Sequence, residues 1–155
     1  MRQPVILLLA FLLCGCVMTL SSTAHVFSPR ELNTDPAQYD ERNVMVRGFV
    51  VLGTNGRSLF QSKRRFEEFG RAFYAHESSF NPRDFDGDCL TLLNADILED
   101  NVAVFNGRTI TVRGRFQSNY RTDDVLDLQA CSERTALVLD QKDTRRLLQT
   151  LKHVH

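Results

Sequence analysis

The sequence predicts a mainly β domain, a small closed barrel with short helices around it, and three observations carry that prediction. The phrase Val44-Met45-Val46-Arg47-Gly48-Phe49-Val50 returns as Ile110-Thr111-Val112-Arg113-Gly114-Arg115-Phe116, almost unchanged in chemical type. Within each copy apolar residues alternate, Val44, Val46 and Val50 in the first and Ile110, Val112 and Phe116 in the second, the period of two that a pleated strand imposes. Each copy also carries a glycine at the same place. A glycine inside a strand weakens it, so it marks a bulge, a sharp coil at a barrel corner or the close approach of another backbone. Two long strands bent at one relative point fit a barrel that closes on itself.

Composition sets the bounds. A chain of 155 residues suits one domain with a real core. Lys plus Arg and Asp plus Glu stand at 19 each, so no large net field draws the molecule toward nucleic acid or an anionic surface. Eleven Phe supply the aromatic surface of a compact interior.

Residues 1–16 read as a signal rather than as part of the fold. Arg2 opens it and Val5 to Leu13 is an apolar run of nine residues, about half of the roughly 20 that cross a bilayer core. Leu13-Cys14-Gly15-Cys16 then resembles the lipobox of bacterial lipoproteins. That resemblance implies that Cys16 is acylated, as with palmitate, and becomes the new amino terminus. It also implies, through Val17, sorting to the outer membrane on its periplasmic face. Ordinary cleavage after Ala24, behind the small residues Ser22 and Thr23, is the alternative. Residues 17–26 form a tether, and residues 27–155 form the single domain. Export to an oxidising compartment leaves Cys89 and Cys131 either as a disulfide, worth roughly 4 kcal/mol in the chain-entropy model, or as two buried thiols.

In the domain, Ser28-Pro29-Arg30-Glu31 has the pattern of a helix start: Ser as cap, Pro at the first helical position and Glu three after the cap. Asp35-Pro36 repeats the cap-then-Pro logic, so two helical turns with a break are expected, with Leu32 and Tyr39 packed on the barrel. The first bent strand runs from about Asn43 to Leu52, Gly53-Thr54-Asn55-Gly56 turns the chain, and Ser58 to Ser62 returns as a second strand. Phe66, Phe69 and Phe73 recur at helical spacing behind Lys63-Arg64-Arg65. They predict either an amphipathic helix whose rings cap one barrel end or an aromatic and basic ligand rim.

Asn81 to Asp88 is a turn-rich connection. Its Asp84, Asp86 and Asp88 have a calcium-loop flavour, but the glycine is misplaced and Ala95 stands where a bidentate Glu is needed, so no metal site is assigned. A third strand follows from Cys89 to Leu93. Asn94 or Asp96 then caps a helix through about Phe105, with Ile97, Val102 and Phe105 facing inward and Asn106-Gly107 ending it. The second bent strand is expected from Thr109 to about Gln117, with further strand pieces over Val125 to Cys131 and Thr135 to Leu139. Asp140 caps a final helix with an apolar stripe of Leu147, Leu148, Leu151 and Val154. His153 and His155, two apart on a helix end, do not share a face for a metal. Arg47 and Arg113 are expected to pair with carboxylates on neighbouring elements.

The order strand, strand, strand, helix, strand, strand, with bent first and fourth strands carrying Val46-Arg47-Gly48 and Val112-Arg113-Gly114, is similar to the oligonucleotide- and oligosaccharide-binding (OB) fold. With Asp35-Pro36-Ala37-Gln38-Tyr39 behind a lipobox, the chain also looks like a group of uncharacterised bacterial lipoproteins with this five-stranded barrel. The resemblance implies ligand contacts on the second and third strands and nearby loops. These fall on Phe60, Gln61, Lys63, Arg64 and Arg65, with Tyr120 and Arg121 in a later loop. It implies no defined activity; the absence of a nucleophile motif assigns no catalytic residue, no cofactor is expected, and an exported, charge-balanced domain is not expected to meet nucleic acid. The function expected is a membrane-tethered binding or adaptor module for an envelope protein, peptide or glycan. The rivals are an envelope hydrolase, for which His25 or His76 beside Glu77 would have to serve, and a metal or haem carrier.

Overall fold

The computed structural model describes residues 25–53, 56–75, 81–85, 87–120, 131 and 134–153. Cys16 with the signal and residues 17–24, Thr54 and Asn55, His76 and Glu77, Asp86, Arg121, the strand expected before Cys131, and Val154 and His155 lie outside the described residues.

The chain opens with β1 (Val26–Phe27), α1 (Pro29–Thr34) and α2 (Pro36–Tyr39). Ser28 and Glu31 form a reciprocal capping box, as their spacing predicts, and Leu32 is buried in the core with Tyr39 packed beside it. Asp35 separates the two helical turns, although its side chain makes no capping bond.

The barrel strands are β2 (Asn43–Gly53), β3 (Gly56–Phe60), β4 (Cys89–Leu93), β5 (Thr109–Gln117) and β6 (Ala136–Leu139). β3 pairs antiparallel with β2 and β4, β4 runs parallel to β6, and β6 and β5 are antiparallel. β5 returns to β2 and closes the cylinder. The result is a mixed, OB-like five-stranded barrel, to which β1 adds a short parallel strand beside β2.

β2 serves two neighbours in succession. Asn43 to Phe49 face Arg115 to Thr109 of β5, and Phe49 to Gly53 face Phe60 to Gly56 of β3, so the strand must coil where the partners change. Gly48 stands at that point. A Cβ there would lie 2.6 Å from Leu59 Cγ and 2.7 Å from the Phe60 carbonyl oxygen. Gly114 is held the same way, with a Cβ falling 2.5 Å from the Val138 carbonyl oxygen. Of the reasons for a strand glycine, close approach of a second backbone is the one that applies.

Alternate residues of the strands fill the interior: Val44, Val46, Val50, Leu59, Leu90, Val112, Phe116 and Leu137. Between β4 and β5 the expected single helix is two turns, α4 (Asp96–Glu99) and α5 (Val102–Phe105), broken where Asn101 takes φ −130° and ψ 42°. The break rotates Val102 outward, to 42% exposure, and Leu98 with Phe105 takes the inward position. Neither Asn94 nor Asp96 is the cap. Ala95 is, while Asn94 donates to the Leu139 carbonyl. α6 (Gln141–His153) starts on Asp140, whose Oδ1 accepts from the N–H groups of Lys142 and Asp143. Leu147, Leu148 and Leu151 lie against the core, as the stripe predicts.

α3 (Lys63–Tyr74) is the amphipathic helix expected from its phenylalanines, but it lies over a sheet face rather than across a barrel end. β3 stops at Phe60, short of the predicted Ser62, because the Ser62 hydroxyl accepts from the Arg65 N–H and caps α3. Phe66 meets Phe49 and Phe60 at centroid distances of 5.9 and 5.2 Å. Both point away from the interior, since Val50 and Leu59 beside them point into it. Cys89 and Cys131 are bonded and complete this second, outer cluster with Cα atoms 5.7 Å apart.

Candidate functional site

The outer face of β3 and β4, which the OB resemblance nominates for ligand, is filled by the chain itself. Phe60 is 1% exposed beneath Phe66, so it is a core residue and not a contact a ligand can reach. The Tyr120 hydroxyl donates to Thr91 Oγ1 at 2.9 Å, on the same face. Gln61 Oε1 accepts from the Arg30 N–H at 3.1 Å. Lys63 pairs with Glu67 at 3.5 Å and Arg64 with Glu68 at 3.8 Å, within one helix. These last are exposed pairs of small energetic weight.

Arg65 has a different role. It and Arg30 grip opposite oxygens of Asp88, a carboxylate with 0% exposure that immediately precedes β4. Arg30 Nε donates to Oδ1 at 3.0 Å and Arg65 Nε to Oδ2 at 2.5 Å. Burial works against the Arg65 charge, but Glu68 and Asp88 outweigh it and hold its pKa above the ordinary value. The Arg65 guanidinium also lies 4.8 Å from the Phe85 ring centroid. This cluster ties α1, α3 and the start of β4 together. Asn33 adds to it by donating to the carbonyls of Gly87 and Cys89 and accepting from the Thr135 hydroxyl. Among the described residues no group of three or more metal-ligating side chains converges, and Asp88 is fully engaged by guanidiniums. The pattern Asp84, Asp86, Asp88 contains no signal for the two arginines, which are 58 and 23 residues from Asp88 in sequence.

The outer face of β2 and β5 is open. It carries three arginines, and the structure separates them. Arg113 Nε is 3.2 Å from Asp143 of α6, as expected, and Arg115 binds Glu41. Arg47 departs from expectation, with no acidic partner among the described residues. It is exposed in a groove of about 360 Å³ whose floor is Arg47, Thr109 and Thr111, with Phe27, Glu31 and Gln61 along the walls. Arg47 and Thr111 face each other in the strand register, which places both side chains on the outer surface. Glu31, the carboxylate in this groove, accepts from the Ser28 N–H at 2.6 Å, and the Ser28 hydrogen bonds hold its pKa below the usual value. Its other oxygen lies 3.7 Å from His25 Nε2. Phe27 is set in place by edge contacts with His25 and Tyr39 at 4.3 and 5.0 Å.

Fold and groove together define an OB-like barrel whose β3–β4 outer face is closed by its own chain and whose open polar groove lies on β2 and β5. Compared with known proteins, the chain matches no family model, no curated protein and no solved structure.

Proposed function

We propose that the protein is a membrane-tethered binding module of the bacterial cell envelope, lipidated at Cys16, held on the periplasmic side of the outer membrane and acting without catalysis. The observation that carries the binding role is the Arg47 groove, where a guanidinium with no acidic partner among the described residues and two threonine hydroxyls lie on an open sheet face. A guanidinium fork with neighbouring hydroxyls is suited to recognition, because its donors are preorganised by the strand beneath them. The lipid reading rests on Arg2, the run Val5 to Leu13 and Leu13-Cys14-Gly15-Cys16. Two acyl chains or more would hold the domain stably at a bilayer, at about 0.8 kcal/mol per buried methylene.

The test is photo-crosslinking in whole cells from a photoreactive amino acid at Thr111, with the same label at exposed Arg146 on α6 as the control. Capture of one envelope component from Thr111 and not from Arg146 is the expected result. Equal labelling from both positions overturns the site. Mass spectrometry of the amino terminus decides the anchor separately: an acylated Cys16 is expected, and an unmodified start after Ala24 refutes it.

A further inference from the structure

We infer that the Arg47 groove takes the free carboxylate of a peptide, an inference that rests on the groove being the binding surface. Of the three arginines on this sheet face, Arg113 and Arg115 already hold carboxylates, Asp143 and Glu41. The described residues thus supply two of the three with the partner that a guanidinium prefers, and Arg47, which has none among them, is the position where that partner comes from outside. Gln61 has its Oε1 occupied by the Arg30 N–H, which leaves the amide NH2, a pure donor, as its free group. Thr109 and Thr111 add hydroxyls, which donate equally well. Donors therefore outnumber acceptors on the groove floor, which suits an anion.

Glu31 narrows the class of anion. It places a negative charge on the wall, and Ser28 keeps it ionised to lower pH than an ordinary glutamate. A dianion such as phosphate meets repulsion there. A singly charged carboxylate meets less, and the peptide N–H groups that follow it find an acceptor. Phe27 provides an apolar wall for the adjoining side chain. A space of about 360 Å³ accommodates a short peptide end.

The full chain in detergent micelles is titrated by proton–nitrogen NMR with four probes: acetyl-alanyl-alanine, its carboxyamide, the carboxyamide of acetyl-alanyl-glutamyl-alanine, and inorganic phosphate. Saturable shifts at Thr109, Thr111 and Gln61 with the free acid, and none with its amide, are expected. A response to the glutamyl peptide as well assigns the site to any peptide carboxylate, and its absence assigns it to the chain terminus. Arg47→Gln is expected to weaken the response about tenfold or more, the loss of a charge-assisted pair. Arg113→Gln leaves it unchanged. Equal shifts with the amide, a stronger response to phosphate, shifts that survive Arg47→Gln, or no shifts with any probe overturn the inference. Selective crosslinking from Thr111 combined with silent carboxylate probes would leave the groove as a binding surface and remove only the peptide carboxylate.

Discussion

The two faces of the sheet made by β3, β4 and the second half of β2 are both covered, but by different kinds of force. The inner face packs Val50, Leu59 and Leu90 into a continuous apolar interior closed by Phe105, Leu98 and the stripe of α6. Nothing directional is needed there, because the area removed from water is large and the barrel leaves no free edge. The outer face offers a smaller apolar cluster of Phe49, Phe60, Cys89 and Cys131, with Phe66 and Val51 at its margin. That side is secured by directional and covalent links: the disulfide, the two-arginine grip on Asp88, and the Tyr120–Thr91 hydrogen bond. A thin layer that buries little area is held by bonds of specific geometry, whereas a thick core is held by volume.

Phe116→Ala, a cavity in the interior, should cost about 4 kcal/mol in denaturant unfolding and lower amide protection throughout the barrel. Cys131→Ser should cost a comparable amount, about 2–4 kcal/mol. Its loss of hydrogen-exchange protection should concentrate at β4 and α3 and spare Val46 and Val112; equal loss at both would refute the layered picture. Asp88→Asn should cost about 3 kcal/mol, at the lower end for a broken buried pair because Arg30 keeps 59% of its side chain in water. Asp88→Leu should do no better, since Arg30 loses its carboxylate and Arg65 is left with Glu68 and the Asp84 carbonyl alone.

The glycines supply a smaller, two-signed test. Gly114→Ala forces a Cβ onto the Val138 backbone and should cost about 1–3 kcal/mol, whereas Gly70→Ala in α3, with nothing within 4 Å of the added carbon, should stabilise by about 0.5–1 kcal/mol. Smallest is a pH effect at α6. Asp140 has its pKa lowered, chiefly by the Asp143 N–H it accepts, so its cap is fully effective above the unfolded carboxylate pKa of about 4 and is lost as pH falls through the depressed folded value. Asp140→Asn should therefore flatten the acid limb of the melting-temperature profile, and an unchanged limb would show the cap to be idle.

Much of the barrel was legible because strand signals are local. Alternation located β5, and the Ser28–Glu31 box and the Asp140 cap are each written within four positions. The helix before β5 was less legible, since no Pro or Gly marks the break at Asn101. The candidate ligand residues fared as they did for one reason. Periodicity tells which face a side chain is on, and it does not tell whether that face is later covered. Phe60 was placed on the outer face correctly and proved buried there.

By itself, then, the amino-acid order located the long strands β2 and β5, the two glycines within them, and the starts of α1 and α6, all of which depend on neighbours within a few residues. Which arginines of the β2–β5 face find a carboxylate among the described residues and which aspartate is gripped were decided by contacts between segments far apart in the chain. Those contacts exist only after the barrel closes, because closure is what brings α1, α3 and α6 within reach of its outer surface.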